Sequence, residues 1–258
     1  MSFRPYLRCV SIISSLVLCP AIAGSAFASS LDSWDYQLGN GFRLGNSGVW
    51  LGGYGVAVVH DYQNQPWEFE LDDLSLFIGY ERGRWRFFSE LELGDSLQAS
   101  NGNALNTRHA YFDLERLYAD YLFNDVVKVR AGKFLTPIGR WNLIHAAPLV
   151  WTTSTPLIVQ VPFAMHQTGG MAYGHFMAYG RQLSYAVYGS GASELDFGDN
   201  DDRWDDNYRD TFGLRLYQEI PGQFQMGASF AHYTERFVHP GQKNLVGLDL
   251  FWAHRHFE

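Results

Sequence analysis

The sequence predicts an all-β fold, an antiparallel transmembrane β-barrel of about ten strands, and three observations carry that expectation. Stretch after stretch alternates apolar and polar residues with period two. Most of these stretches run about ten residues or more, longer than the usual strand of a soluble sheet. The joins between them alternate short and long, the layout of a barrel with tight turns at one end and longer loops at the other.

The elements follow in order from the N-terminus. Arg4 and Arg8 precede the apolar run CVSIISSLVLCPAIAG, and AFA at Ala26–Ala28 places small residues at cleavage positions. A basic start, an apolar middle and an A-x-A end describe a secretory signal peptide over residues 1–28. The run is short and Pro20 interrupts it, which weighs against a spanning helix. Leu18 before Cys19 and Pro20 after it weigh against lipidation. Cys9 and Cys19 both lie inside this segment, so the exported chain would hold no thiol for a disulfide, a metal or a nucleophile. Residues 29–46 read as a periplasmic N-terminal segment and 47–258 as the barrel domain.

The formal charge of −8 becomes −10 once Arg4 and Arg8 are removed (−8 − 2), which makes nucleic acid an unsuitable partner. No stretch after residue 28 reaches the roughly 18–20 apolar residues that a spanning helix needs.

Strands are expected near Ser47–His60, Glu68–Glu81, Arg84–Gly94, His109–Phe123 and Val126–Leu135. Five more follow near Thr168–Tyr179, Gln182–Ser190, Asp210–Glu219, Gln223–Tyr233 and Asn244–His254. Tight turns fall at Arg82-Gly83, Asn124-Asp125, Gly180-Arg181 and Pro221-Gly222. The longer connections are Asp61–Trp67, Asp95–Arg108, Thr136–Gln167, Gly191–Arg209 and Thr234–Lys243.

The hairpin LDDLSLFIGYERGRWRFFSELELG shows the pattern best. Leu74, Leu76, Ile78 and Tyr80 share an apolar face with Trp85, Phe87, Leu91 and Leu93. Asp73, Ser75, Phe77, Gly79 and Glu81 share the other with Arg84, Arg86, Phe88, Glu90 and Glu92. In a barrel the first face meets lipid and the second the lumen, and closure leaves no unpaired backbone in hydrocarbon. A secreted antiparallel sandwich also alternates. Strand length, loop asymmetry and the strand-end aromatics Trp50, Tyr80, Trp85 and Trp252 favour the barrel, because such aromatics belong at a membrane–water boundary.

The predicted lumen faces carry Arg84, Arg86, Lys128, Arg130 and Arg215 together with Asp73, Glu90, Glu92, Asp113 and Glu115. Cross-strand ion pairs that stiffen the wall are one reading of this mixture. Ion selection by a pore is the other. The segment Thr136–Gln167, the third external loop from a periplasmic N-terminus, holds four prolines and the apolar Trp141, Leu149, Trp151 and Phe163. A loop of this length without regular pattern is usually functional or disordered. It is expected to fold inward and narrow the lumen, with Arg140, Trp141, His145 and Trp151 at the constriction; lying over the rim or against a neighbouring subunit is the alternative.

Metal and cofactor signals are weak. The acidic loop Glu194–Asp210 lacks a Gly at the sixth position from Asp199 and reads as solvated. His254 and His256 supply two ligands at most. No cofactor and no metal are expected. His60 beside Asp61 is the nearest approach to a catalytic group, and an enzyme is not expected.

The segment VRAGKFLTPIGRWN, with HAAPLVWTTSTPLI after it, resembles the strand-and-loop signature of porin-like proteins of Gram-negative bacteria. These form a broad superfamily that includes the phosphate-selective porins. GGYG in the first strand and LVGLDLFW in the last are similar to pieces of such chains. The resemblance implies a passive outer-membrane channel for small hydrophilic solutes or ions, surrounded by lipid and lipopolysaccharide and assembled as a homotrimer. It implies no substrate: phosphate selectivity would want a ladder of Arg and Lys, and here carboxylates share the lumen. A non-conducting barrel serving as scaffold or adhesin, and a barrel enzyme, are the alternatives. The resembled porins have more than ten strands and this chain stops at WAHRHFE, so a C-terminal truncation is expected. The ten strands would then form an open, curved sheet with unpaired edges.

Overall fold

In the computed structural model the period-two stretches become strands of one wholly antiparallel sheet. The structure describes residues 10–12, 34–37, 41–60, 66–100, 105–107, 110–144, 163–191, 195, 207–220, 224–237 and 239–252. The strands are β1 Val10–Ile12, β2 Trp34–Gln37, β3 Gly41–Leu44, β4 Val49–His60, β5 Glu68–Arg82, β6 Trp85–Ser100 and β7 Tyr111–Leu122. After them come β8 Lys128–Leu135, β9 His166–Ala178, β10 Arg181–Ser190, β11 Tyr208–Ile220, β12 Phe224–Glu235 and β13 Gly241–Trp252. From β2 to β13 each pairs with its neighbour in sequence, and β1 pairs with the end of β4 that β3 leaves open. β13 and β2 are the outer strands of the path, and no pairing joins them among the described residues. No helix among the described residues is long and apolar enough to cross a membrane, which says nothing of strands.

All ten predicted strands occur, with three additions. β2 and β3 form a small hairpin inside the predicted N-terminal segment, and β1 lies within the predicted signal peptide. β6 runs six residues past Gly94 into the segment read as a loop, where Leu97, Gln98, Ala99 and Ser100 still pair with β5. Two turns sit one residue from their expected places. Gly83-Arg84 closes β5 to β6, with φ of 63° at Gly83 as a hairpin of the II′ kind requires at its first central residue. Tyr179-Gly180 closes β9 to β10 with positive φ at both, 51° and 72°, the I′ geometry. The turn at 221–223 lies outside the described residues.

Bulges re-aim side chains at three places that matter. Opposite Glu90 and Leu91 of β6, strand β7 carries Glu115 as an extra residue between Leu114 and Arg116. The pairing of β5 with β4 and β6 slips at Asp72. That of β11 with β12 slips between Arg209 and Phe212.

The two faces of the sheet differ sharply. On β13 every second residue is exposed, and Val246, Leu248, Leu250 and Trp252 form the outward row at 74%, 84%, 72% and 55% exposed. Val187, Leu214, Leu216 and Phe230 continue this apolar row across β10–β12. The inner face holds a cluster of Phe134, Met171, Ala186, Tyr188, Ala231 and Tyr233, packed against Ile138, Phe163 and Ala164 of the long loop. Polar groups are buried on this face too: Glu90, Asp120, Lys133 and Arg215 are each 3% exposed or less.

Candidate functional site on the inner face

The inner rows of β5–β7 supply carboxylates. Glu90 is fully buried and receives both Nε and Nη2 of Arg116 one strand away. Glu92 accepts from Ser75 Oγ and from Tyr111 Oη, each at 3.4 Å. Asp113 lies 3.8 Å from Lys133 Nζ, and Glu115, delivered by the bulge, meets His166 Nε2 at 2.9 Å.

The strands that follow supply cations. Arg130 donates from Nε and Nη2 to the two oxygens of Asp120 at 2.7 and 2.9 Å, a two-point fork. Tyr173 Oη donates to the same carboxylate at 2.9 Å. The Arg130 guanidinium also lies 3.6 Å from the centroid of the Tyr118 ring, which holds its plane. Arg215, at 2% exposed, donates to Asp249 Oδ2 at 3.1 Å. Lys128 stands over the Tyr173 ring at 5.9 Å. Charge is therefore graded around the wall, with carboxylates concentrated on β5–β7 and cations on β7–β11.

The long loop lies against this wall. Its two arms are fastened at the base, where Thr136 N donates to Met165 O at 2.9 Å, Thr136 Oγ1 to Ala164 O at 2.6 Å and Asn142 Nδ2 to Thr136 O at 2.7 Å. The outgoing arm then crosses to strands far along the sheet. Gly139 N donates to Ser229 Oγ on β12 at 3.2 Å, and Arg140 Nη1 to Gln225 Oε1 at 2.5 Å. The Arg140 guanidinium sits 4.0 Å above the Phe251 ring on β13. Thus Gly139 and Arg140 of the loop lie against the inner face. Between the arm and the wall is a cavity of about 340 Å³.

Among the predicted lining residues, Glu90, Glu92, Asp113, Lys128, Arg130 and Arg215 share the inner face. Arg86 is there too, but near the short turn, half-exposed and 3.8 Å from Glu81. Arg84 is a correction: it occupies the turn itself and not a strand face, because the hairpin places its positive φ at Gly83. Of the predicted constriction residues, Arg140 contacts the wall and Trp141 is 37% exposed in a single 3-10 turn. His145 and Trp151 lie outside the described residues, as do Asp61, Asp199, His254 and His256.

Trp50 is a second correction. It faces inward, with its ring 5.9 Å from that of Phe88, while Phe88 contacts Phe77 and Tyr118. The outward aromatics at the short-turn end are Tyr80, Trp85, Phe87, Tyr121 and Phe123, in mutual ring contact at 4.7 to 5.8 Å. Trp50 folds over Gly79 of the neighbouring strand, where a β-carbon would fall inside the indole. Gly79→Val is therefore expected to expel Trp50 from the inner aromatic cluster, cost about 1–3 kcal/mol as overpacking does and redshift the Trp50 emission. An unchanged spectrum of that variant in a background retaining Trp50 alone would show that the indole does not rest there.

Sequence reasoning missed Arg116, Tyr118 and Asp120, although the alternate spacing of the three is plain in ERLYAD. The bulge at Glu115 switches the inner parity of β7, so Asp113 and Arg116 both face inward. Missed as well was the cluster Glu70, Asp72 and Asp95, whose carboxylates lie within 4.8 Å of one another beside the β5 bulge.

No family model matches the chain, and no solved structure matches it. An uncharacterized protein of Aquifex aeolicus (strain VF5) is 27% identical over 157 residues, covering 58% of this chain and 34% of that protein. The match thus spans about a third of the length of that relative.

Proposed function

We propose that the chain forms a passive outer-membrane pore for small hydrophilic solutes or ions. The observation that carries this reading is the reversed polarity of the sheet: large apolar side chains recur along the outward rows while ionisable ones line the inner face. Water would penalise an outward row such as Val246-Leu248-Leu250. Hydrocarbon does not, provided the backbone is paired within the sheet. The outward aromatics at the short-turn end fit a boundary girdle, and the signal-like N-terminus supports export. Lipid and lipopolysaccharide would cover the outer rows, and a homotrimer is the proposed assembly. The porin resemblance supports the same reading.

The test is single-channel conductance of the native protein, extracted from outer membranes and inserted in a planar bilayer under a salt gradient. Discrete current steps are expected, and the reversal potential gives the sign of the preferred ion. Arg140→Ala removes the tether to Gln225 and is expected to enlarge the step. The packing of Ile138, Phe163 and Ala164 into the inner cluster favours a second reading, a barrel occluded by its own loop. A silent bilayer with protein shown to be folded and inserted would retire the pore and leave that second reading.

A further inference from the structure

The cavity beneath the loop arm is built from two kinds of surface. Four cations line it, Arg116, Lys128, Arg130 and Arg215, and no carboxylate is among its lining residues. Three of them reach a carboxylate outside the lining: Arg116 holds Glu90, Arg130 holds Asp120 and Arg215 holds Asp249. Lys128 has no carboxylate partner among the described residues, so the lining keeps about one uncompensated positive charge. Arg215 adds a second, independent sign of a missing ligand. It is 98% buried, yet its Nε and Nη1 have no hydrogen-bond partner among the described residues. Buried donors of this kind are costly to leave unmade. The remaining wall is apolar or aromatic, including Leu143 from the loop, Met171 and Tyr217.

We propose that this cavity binds a small organic acid, a single carboxylate on a compact apolar body. The carboxylate accepts from Arg215, and Lys128, three strands away along the same inner row through Tyr173 and Ala186, attracts it at longer range, while the body rests on Leu143, Met171 and Tyr217. A volume of about 340 Å³ suits a small molecule and exceeds what a bare oxyanion fills. Inorganic phosphate carries more charge than one free lysine offsets, and it would leave the apolar wall against water. The assignment builds on the pore reading for how the ligand arrives.

The experiment is calorimetric titration of the full chain, folded in detergent micelles, with benzoate, benzamide and inorganic phosphate at matched ionic strength. Benzoate is expected to bind one to one, with benzamide and phosphate at least about tenfold weaker. Lys128→Gln and Arg215→Gln should each weaken benzoate about tenfold. Should Arg215→Gln fail to fold, since it also strips Asp249 of its partner, Lys128→Gln decides alone. Phosphate binding as tightly as benzoate, or benzoate binding that survives Lys128→Gln, overturns the proposal. Conductance separates the two readings: binding without current removes the pore and keeps the site, whereas current without binding removes the site.

Discussion

Val187→Arg is expected to cost the inserted protein about 2–4 kcal/mol, the penalty of a cation on a lipid-facing strand near the bilayer midplane. Val187 sits at the middle of β10, half-exposed, paired with Ala172 on one side and Leu214 on the other. All three point outward, and the nearest inner neighbours, Ala186 and Tyr188, are buried beneath the loop. In a sandwich whose outer face meets water the same arginine would be a surface change, worth within about half a kcal/mol of nothing. The two architectures therefore differ by several kcal/mol at one position. Urea unfolding in phospholipid vesicles reads the difference as a lowered midpoint, and gel electrophoresis reads it as loss of a heat-modifiable folded band. An unaltered midpoint for both Val187→Arg and Leu214→Arg would remove lipid from the outer face and the pore with it.

The outer face is the part of the fold that local pattern states most directly. Leu74, Leu76, Ile78 and Tyr80 needed only period two to be placed, and the pairing of Leu76 with Leu91 and Tyr80 with Phe87 follows from the same rows. The inner face is harder because function and geometry interrupt the period there. The extra Glu115 changes which residues of β7 look inward, so a strict reading that includes Asp113 leaves out Asp120. Trp50 has a girdle residue's composition and position, and only the absence of a side chain at Gly79 across the pair lets its indole lie inward. The loop contacts are less legible still. Gly139 to Ser229 and Arg140 to Gln225 join residues 90 and 85 apart, and no local pattern encodes which wall a loop will meet. Asp249 is the exception, a lone acid in LVGLDLFW on the inward parity, and its partner Arg215 lies two strands away.

Arg130→Met is expected to destabilise the protein by about 3–5 kcal/mol, since it strands the Asp120 carboxylate on a buried wall. Asp120 is 3% exposed and would keep only the Tyr173 hydroxyl among its present side-chain donors. The substitution also removes the guanidinium from the Tyr118 ring. Asp120→Asn should cost less, because Arg130 keeps Tyr118 and Tyr173 as ring neighbours and about a fifth of its side chain reaches the surface. The double variant Arg130→Met with Asp120→Asn should recover part of the loss, as it leaves no buried unpaired charge. Arg130→Lys keeps the charge but not the fork and should fall between wild type and Arg130→Met. The size of the effect, read from denaturant midpoints of the four variants against wild type, also reports on how wet the inner face is. A wall flooded with water screens such a pair to at most about 1 kcal/mol, whereas a wall sealed by the loop does not. A cost near the upper figure therefore means that the loop arm excludes water from Asp120 and Arg130, so that under the proposed pore function a solute would pass on the carboxylate side or displace the arm. A cost under about 1 kcal/mol means that water reaches the fork past the loop arm.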